Sequence, residues 1–529
     1  MKDRVTNTKH ILLINLYTAF TILVFAPMEF FFSNVKDFDF SINDVFLISG
    51  VFFLFSFVVL SILQYGLYFI NKSCSKIFLT LQTAITTALY IQGNFLRTDY
   101  GELNGDVIEW SLYKKDSYIS LSVWAVILLV LLVVCVKIDK SKFYKVLTAL
   151  SLWIVMIQVF ALVTSLFTTK DFWHKEKVVA TTDYQFEMGT RNNYIILLLD
   201  TLDSPTFFSV YSDNPTYYSE ILADFTYYKN TSGMYQYTAL AVPYIFSGSK
   251  YTEEDSFDDY IEYQYSNSPF LKKLSDMNYR IGVYSPSFVI GEDTDYHVVN
   301  MSKMNVTVSS KRKMAEFLYR LVAYRYAPFH LKDYFWFYPD TDDFVEYECN
   351  NKEAFTDDNF AFFDDMEKVC LSNDDNAFFF YHLSGTHPPF NITDDFMLSD
   401  DETSIEAETR GNMVLVEAYL EKLKSMGCYD NSVIIIMGDH GYTDLRQAPV
   451  LLVKGIDEQK EFSISDIPVS YADCQDMFNA LLEGMSADDL FDEERQKKKN
   501  RVFYQYDFDK QGDVVLTEYL ISEDAFEVK

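Results

Sequence analysis

Long apolar stretches fill the first third of the chain and give way to a mixed pattern near residue 168. Five of them are long enough to cross a bilayer as helices, which takes about 20 residues. They run over residues 11–32, 45–69, 77–96, 119–136 and 143–167. The third is the least apolar, since it carries Gln82, Thr83, Thr86 and Gln92. No small-residue cleavage site closes the first stretch, as one would in a signal peptide. The pattern predicts an N-terminal bundle of five transmembrane helices over residues 1–168.

The basic residues of the short connections predict how this bundle is oriented. They concentrate at the N-terminus, between the second and third stretches, and between the fourth and fifth: Lys2, Arg4, Lys9, Lys72, Lys76, Lys137, Lys140 and Lys142. Because cytoplasmic loops carry the excess of Lys and Arg, the N-terminus is expected in the cytoplasm. An odd number of crossings places the rest of the chain outside. We therefore expect a multi-pass protein of the plasma membrane with an extracellular or periplasmic C-terminal domain.

After a connector at residues 169–192, the pattern alternates between strands and helices up to residue 529. Continuous apolar runs predict buried strands at 193–200, 279–285, 377–385, 433–438 and 449–455. Ser204 and Pro205 resemble a helix N-cap followed by the first helical residue. Another helix places Met413, Val416, Leu420 and Leu423 on one face. This alternation predicts that residues 193–529 form an α/β domain with a largely parallel central sheet.

Composition narrows the possible partners and leaves the cysteines ambiguous. The net charge of −32 argues against nucleic-acid binding, which depends on Lys and Arg that neutralise phosphates. Four cysteines, Cys349, Cys370, Cys428 and Cys474, fall in the C-terminal part and match no zinc-binding spacing. Disulfides and free buried thiols both remain possible for them.

Polar groups follow three of the predicted strands. Asp200 ends the first, His387 follows the Phe-rich strand, and Asp439 with His440 ends the strand at 433–438. Since the carboxyl ends of parallel strands share one edge of a sheet, these side chains are expected to lie together. Two carboxylates and one imidazole suit Zn²⁺ or Mn²⁺ better than Ca²⁺. Thr238, in YQYTALAVPYIFSG, is the candidate for a fourth ligand and for the nucleophile.

Four motifs in this order resemble the alkaline phosphatase/sulfatase superfamily. They are the Asp at a strand end, T-A-x-x-V-P-x-x-F-S, H-L-x-G-x-H-x-P and D-H-G. With five N-terminal spans, the resemblance is closest to lipoteichoic acid synthases and lipid A phosphoethanolamine transferases. It implies a divalent metal held by Asp200, Thr238, Asp439 and His440, with Thr238 as the nucleophile. His387 is implied to contact the substrate phosphate or a second zinc.

Two features depart from the resembled families. The transferases place a further histidine after D-H-G, whereas the chain from Gly441 to Lys529 contains none. A second metal site of the usual kind is therefore not expected, and Arg446 is a candidate phosphate ligand instead. True sulfatases need Cys or Ser in C/S-x-P-x-R, and Thr238 stands at that place. His382 alternates with apolar residues and is expected to be a hydrogen-bonded core histidine, while Asp203 and Tyr442 are further candidates near the site.

The resemblance implies a two-step transfer. Thr238, activated by the metal, attacks the phosphorus of a phospholipid head group, and diacylglycerol leaves. A phospho-threonine intermediate then passes phosphoglycerol or phosphoethanolamine to a cell-surface glycan, polymer or lipid, with His387 binding phosphate or supplying a proton. One alternative is a membrane-tethered hydrolase of phosphate or, less readily, sulfate esters. Another is an inactive domain that binds surface polymers.

Overall fold

The structure is a computed structural model that carries side chains. It describes residues 2–35, 38–98, 108, 110–169, 172–173, 176–252, 257–290, 294–337, 341, 343–348, 352–442, 447–508, 514–521 and 525. The chain divides into two compact units. The helical unit comprises Met1–Lys177 and Met304–Glu348, and the sheet unit comprises Val178–Lys303 and Cys349–Lys529. The predicted domain boundaries placed residues 304–348 in the C-terminal domain, whereas by their contacts they belong to the helical unit.

The α-helices are numbered in chain order. They are α1 (Lys2–Phe20), α2 (Ala26–Ser33), α3 (Ile42–Ile70), α4 (Lys72–Phe95), α5 (Lys114–Lys137), α6 (Lys140–Thr168), α7 (Ser204–Asp213), α8 (Pro215–Ile221), α9 (Thr238–Ser247), α10 (Phe257–Ser266), α11 (Pro269–Asp276), α12 (Lys311–Tyr326), α13 (Lys332–Phe335), α14 (Asn359–Asp365), α15 (Ile405–Ser425), α16 (Cys474–Leu482) and α17 (Glu493–Gln496). A π-helical turn at Thr21–Phe25 joins α1 to α2.

The strands are numbered in the same way. They are β1 (Glu176–Ala180), β2 (Glu187–Met188), β3 (Asn192–Leu199), β4 (Thr226–Tyr228), β5 (Thr231–Ser232), β6 (Tyr279–Tyr284), β7 (Met301–Val308), β8 (Val345–Glu348), β9 (Cys370–Leu371), β10 (Asn376–Leu383), β11 (Ser432–Met437), β12 (Leu451–Lys454), β13 (Ser463–Ser465), β14 (Val469–Ser470), β15 (Arg501–Phe508) and β16 (Val514–Ile521).

Within the described residues, four helical segments, not five, are long and apolar enough to cross a membrane. They are Asn7–Ser33, Ile42–Ile70, Trp110–Lys137 and Lys142–Thr168. The prediction of five apolar spans was wrong at the third stretch. This stretch forms α4, whose hydropathy is too low for a candidate membrane span. Gln82 of α4 is buried and donates to Asn15 and Thr18 of α1, at 3.0 Å each. Polar side chains of α4 therefore bond to neighbouring helices of its own unit, which explains why this segment combines helical length with low hydropathy. The four apolar helices fit a membrane anchor.

A seven-stranded sheet forms the centre of the sheet unit, with strand order β13-β4-β12-β11-β3-β10-β6. Strands β6, β10, β3 and β11 are parallel to one another, as the alternation of elements predicted. Strand β12 runs antiparallel to both β11 and β4. The sheet is mostly parallel.

Both faces of this sheet are covered. Along β3, alternate side chains enter two different hydrophobic clusters: Tyr194 and Ile196 lie in one, and Ile195 and Leu197 in the other. This burial explains why the strand reads as a continuous apolar run. The helix predicted from its apolar face is α15, whose Met413, Val416, Leu420 and Leu423 are all buried against the second cluster.

The start of α7 differs by one residue from the sequence prediction. Asp203, rather than Ser204, is the N-cap, and its carboxylate accepts from the Thr206 backbone N–H at 3.2 Å. Ser204 is instead the first helical residue, and Pro205 is the second.

Among the described cysteines of the sheet unit, Cys370, Cys428 and Cys474 are free thiols, and Cys349 lies outside the described residues.

Candidate active site

Three parallel strands end at the same level and define the rim of the site. Leu199, the last residue of β3, pairs with Leu383 of β10, and Leu198 pairs with Met437 of β11. The chain leaves these strands through Asp200, Ser384 and Gly438, respectively. The strand register therefore places the residues that follow these three strands at one edge of the sheet, as expected.

Thr201 links the two carboxylates of the site. Its hydroxyl donates to Asp200 Oδ1 at 2.6 Å, and its backbone N–H donates to Asp439 Oδ1 at 3.0 Å. Thr201 has a φ of +59°, in the left-handed region that non-glycine residues rarely occupy. This backbone turn is what allows one residue to bond both acids. Sequence reasoning did not identify Thr201.

His440 presents one ring nitrogen to the acids. Its Nδ1 lies 2.8 Å from the carbonyl oxygen of Gly441, which can only accept, so Nδ1 carries the proton. Its Nε2 then carries the free lone pair. This nitrogen lies 3.8 Å from Asp200 Oδ1 and 3.5 Å from Asp439 Oδ2. A backbone partner on the far nitrogen is the usual way in which proteins orient a histidine toward a metal.

Thr238 joins this group from a different part of the chain. It is the first residue of α9, with Tyr237 as the N-cap, and is half-buried. Its Oγ1 lies 3.3 Å from Asp200 Oδ2 and 3.4 Å from His440 Nε2. The structure therefore brings together Asp200, Thr238, Asp439 and His440, the four residues that the sequence motifs singled out as a metal-binding set.

This donor set fits a divalent cation. Ligand atoms of Asp200, Asp439 and His440 all lie within 4.8 Å of one another. Asp439 is fully buried, and its Oδ2 has no hydrogen-bond partner among the residues that the structure describes. Leaving a buried polar atom unsatisfied costs about 1–3 kcal/mol, and more when it is charged. A cation among these atoms would remove that cost, and two oxygens with one imidazole nitrogen suit Zn²⁺ or Mn²⁺.

In the cluster, two buried carboxylates lie close together beside the His440 imidazole, so the pKa of each group depends on its neighbours. Burial and the charge of Asp200 raise the pKa of Asp439. Burial alone would lower the pKa of His440, but Asp439 and Asp200 raise it above its ordinary value. Burial would likewise raise the pKa of Asp200, yet His382 and His440 hold it well below its usual range. Without a cation, protons must therefore compensate for the negative charge at Asp439 and His440.

Two further histidines of the H-L-x-G-x-H motif take different positions. His382 is buried and hydrogen-bonded to Ser285 through Nδ1 at 3.0 Å, as expected for a core histidine. Its Nε2, however, lies 3.6 Å from Asp200 Oδ2, so it also belongs to the site. His387 is exposed, with its Nδ1 2.7 Å from the Pro388 carbonyl oxygen, and it is not among the clustered ligands. It is near enough to lower the pKa of Asp200.

Gly385 fixes the backbone of Asp200. The Asp200 N–H donates to Leu383, and the Asp200 carbonyl accepts from the Thr386 N–H at 2.9 Å. A Cβ at Gly385 would lie only 2.4 Å from the Asp200 backbone nitrogen. The buried amides of Asn359 and Asn412 in turn hold the carbonyl oxygen of Gly385, at 3.1 Å and 2.6 Å. The glycine of the motif could have indicated this close approach, but no local signal marks the two asparagines.

The remaining sequence candidates are peripheral. Asp203 caps α7 and also accepts from the Tyr442 backbone N–H at 3.3 Å, so both residues support the loop after His440. Arg446, predicted as a phosphate ligand, lies outside the described residues.

Comparison with known proteins gives one family match. Residues 192–449 match the sulfatase family model. The chain matches none of the curated proteins with which it was compared.

Several solved structures resemble the chain at low identity. One is an alkaline phosphatase superfamily protein from Vibrio parahaemolyticus, with 12% identity over 65% of this chain and 85% of that chain, at a TM-score of 0.35. A phosphonate monoester hydrolase from Silicibacter pomeroyi shows 12% identity over 56% of this chain and 74% of its own, at 0.31. A 2-O GAG sulfatase shows 13% identity over 63% and 85%, at 0.35.

The matched segment runs from the start of β3 to Pro449 and contains all four clustered residues. Residues 192–449 are therefore similar to the sulfatase family over a segment that holds the whole cluster.

Proposed function

We propose that this chain is a metal-dependent transferase that moves a phospholipid-derived phosphoglycerol or phosphoethanolamine group to a cell-envelope glycan, polymer or lipid. The proposal rests on one observation: the Thr238 hydroxyl lies 3.3 Å from Asp200 and 3.4 Å from the Nε2 of His440. That Nε2 is 3.5 Å from the Oδ2 of Asp439, which has no hydrogen-bond partner among the described residues. A lone hydroxyl at a helix start is ordinary. A hydroxyl beside a buried set of metal ligands is one that a bound cation would activate as a nucleophile.

Asp200, Asp439 and His440 would hold a Zn²⁺ or Mn²⁺ ion, with Thr238 as the fourth ligand. When bound, the ion lowers the pKa of a hydroxyl and neutralises charge on an attacked phosphoryl group. Thr238 is aimed by its place as the first residue of α9 and by the restricted χ1 of a β-branched side chain. The first N–H groups of a helix have no intrahelical partner, so the start of α9 also favours a phosphoryl group.

The first step forms a bond between Thr238 Oγ1 and the phosphorus of a phospholipid and breaks the bond from phosphorus to diacylglycerol. The diacylglycerol oxygen gains a proton, which we assign to His387, and the proton released by Thr238 restores that histidine through solvent. His387 suits this role because its Nδ1 is committed to the Pro388 carbonyl while its exposed ring leaves Nε2 accessible.

In the second step a hydroxyl of the acceptor attacks the phospho-threonine. The acceptor oxygen bonds to phosphorus, the bond to Thr238 Oγ1 breaks, and the acceptor proton returns to the threonine. The products are diacylglycerol and a phosphodiester on the acceptor, so no water is consumed. If water takes the place of the acceptor, the same site is a phosphoric ester hydrolase.

The apolar helices support transfer from a membrane donor, because a chain anchored in the bilayer meets phospholipid continuously. We propose that these helices cross the plasma membrane several times and that the sulfatase-like domain lies outside the cell or in the periplasm. Basic residues near the N-terminus favour a cytoplasmic location for that end, and the domain then lies outside only if the number of crossings is odd. The proposal therefore requires α4, whose polar Gln82 bonds to α1, to cross the membrane beside the four apolar helices.

The test uses the purified full-length chain with phosphatidylglycerol or phosphatidylethanolamine labelled in the head group. Release of diacylglycerol together with a head-group mass increment on the Thr238 peptide supports the proposal and identifies the group. Thr238→Ala should abolish both signals, and Thr238→Ser should keep part of each. If free head group appears at the same rate with and without candidate acceptors, the chain is a hydrolase. If neither signal appears with any lipid and metal, the proposed activity is wrong.

A further inference from the structure

The helical unit contains a second feature that the proposed activity does not use. A groove of about 750 Å³ lies between the first turns of α3, the π-helical turn at Thr21–Phe25 and one face of α12. Most of its exposed wall is apolar and includes Leu47, Val51 and Phe52 of α3 together with Ala315 and Tyr319 of α12. Three charged residues of α12 also line it: Lys311, Arg312 and Glu316. Tyr319 fixes the position of α12, since its hydroxyl donates to the Leu23 carbonyl at 3.1 Å and its ring packs on Phe52 at 5.2 Å between centroids.

Basic residues stand at one end of this groove. Lys311, Arg312 and Lys313 form the first turn of α12, which carries no acidic residue. Positive charge at a helix N-terminus is unfavourable unless an anion compensates for it. Lys311 pairs with Asp44 and Lys313 with Asp343, the latter at 3.0 Å. Arg312 lines the groove, is exposed, and makes no hydrogen bond or ion pair within the described part of the chain.

The apolar groove and the positive charge of the arginine together complement an anionic amphiphile. Leu47 and Phe52 lie five and ten residues into α3, so at 1.5 Å per residue they are about 8–15 Å from its start. That distance leads from the head-group level of a bilayer into its acyl region. An occupant must therefore offer an anion to Arg312 and a hydrocarbon chain to the wall formed by Val51 and Ala315.

We infer that this groove binds one phospholipid, with its phosphate on Arg312 and an acyl chain along α3 and α12. The site lies wholly within the helical unit. It requires the membrane anchor but neither the metal nor Thr238, so the inference is independent of the proposed transferase activity, and either can fail alone.

The experiment counts lipids retained by the full-length chain in dodecyl maltoside, using native mass spectrometry during titration with phosphatidylglycerol. Wild type should hold one lipid more tightly than any further lipid. Arg312→Gln should weaken this binding about fivefold, the size of one surface cation acting on an anionic head group. Arg312→Lys should keep most of it. Ala315→Phe should weaken binding at least as much by filling the groove.

Lys115→Gln is the matched control, since Lys115 is an exposed basic residue in the first turn of α5 and does not line the groove. It should leave binding within about twofold of wild type. Dioleoylglycerol, which lacks the phosphate, should bind about fivefold more weakly than phosphatidylglycerol. The inference is wrong if Arg312→Gln and Ala315→Phe bind phosphatidylglycerol like wild type, if Lys115→Gln loses as much as Arg312→Gln, or if dioleoylglycerol binds equally well. Circular dichroism of each variant shows whether the chain is folded.

Discussion

A single methyl group at Gly385 should disrupt the metal cluster. A Cβ there would lie 2.4 Å from the backbone nitrogen of Asp200 and 2.5 Å from the carbonyl carbon of Leu199. Neither contact involves a flexible side chain, so the backbone must move. Gly385 also has a φ of +56°. For Gly385→Ala, a left-handed backbone costs about 1–2 kcal/mol and overpacking a further 1–3 kcal/mol, which together lower the free energy of unfolding by about 2–5 kcal/mol.

The displacement should also reach the metal. Asp200 lies 3.3 Å from Thr238 and 3.8 Å from His440, and loss of a supporting residue typically lowers metal affinity by about 10–100-fold. We therefore expect Gly385→Ala to bind Mn²⁺ or Zn²⁺ at least tenfold more weakly than wild type. Calorimetric titration of the full-length chain in detergent measures the affinity, and urea unfolding followed by circular dichroism measures the stability.

Gly427 provides the matched control for this variant. Its φ of +71° lies in the same left-handed region as the +56° of Gly385, but a Cβ there meets nothing within 4 Å among the described residues. Gly427→Ala should therefore carry only the backbone cost of about 1–2 kcal/mol and bind metal like wild type. If Gly385→Ala is no less stable than Gly427→Ala and retains wild-type metal affinity, the account of how Asp200 is positioned is wrong.

Four other predictions concern the site and the anchor. Asp439→Asn should stabilise the metal-free chain, because it removes the repulsion between two buried acids. It should also lose the increase of about 2.7 kcal/mol in the free energy of unfolding that wild type gains at a metal concentration of 100 Kd. Thermal melts with and without MnCl₂ measure this, and a metal-induced gain equal to that of wild type would contradict the prediction. Metal affinity should fall as the pH is lowered from about 8 to about 6, because the raised pKa of His440 makes protons compete with the ion; flat calorimetric affinities over this range would oppose it. Thr201→Val should lower metal affinity about tenfold by removing the bond to the adjacent carboxylate, whereas Thr201→Ser should not, and equal affinities of the two variants in calorimetry would refute the linking role. A membrane-impermeant maleimide should label the exposed Cys370 on intact cells but reach the exposed Cys74 only after lysis, and the opposite result would reverse the proposed orientation.

Much of the sheet unit could be predicted because its strands are buried on both faces. Strand β3 was predicted at 193–200 and runs over Asn192–Leu199, and β10 and β11 agree equally well. In β3 and β11 the buried apolar run continues to the end of the strand, so the first polar side chain after it lies just past that end. That residue also marks the rim of the site, which is why Asp200, Asp439 and His440 could be predicted together from sequence.

The parts that escaped prediction depend on contacts between distant segments. Asn359 and Asn412 reach Gly385 from α14 and α15, and neither stands in a pattern that distinguishes it from a surface amide. His382 follows the two-residue period of β10 and so appeared to be a simple core residue, although its second ring nitrogen faces Asp200. The polar face of α4 could not be distinguished from a weak membrane span because its partners in α1 are far away in sequence.

Anomalous diffraction from crystals of the full-length chain grown with Mn²⁺ or Zn²⁺ tests the central claim most directly. A single strong peak is expected within bonding distance, about 2.0–2.3 Å, of oxygens from Asp200, Thr238 and Asp439 and of the Nε2 of His440. A chain that binds no ion there, or one whose ion leaves the Thr238 hydroxyl beyond coordination distance, would contradict the assignment of Thr238 as a metal-activated nucleophile.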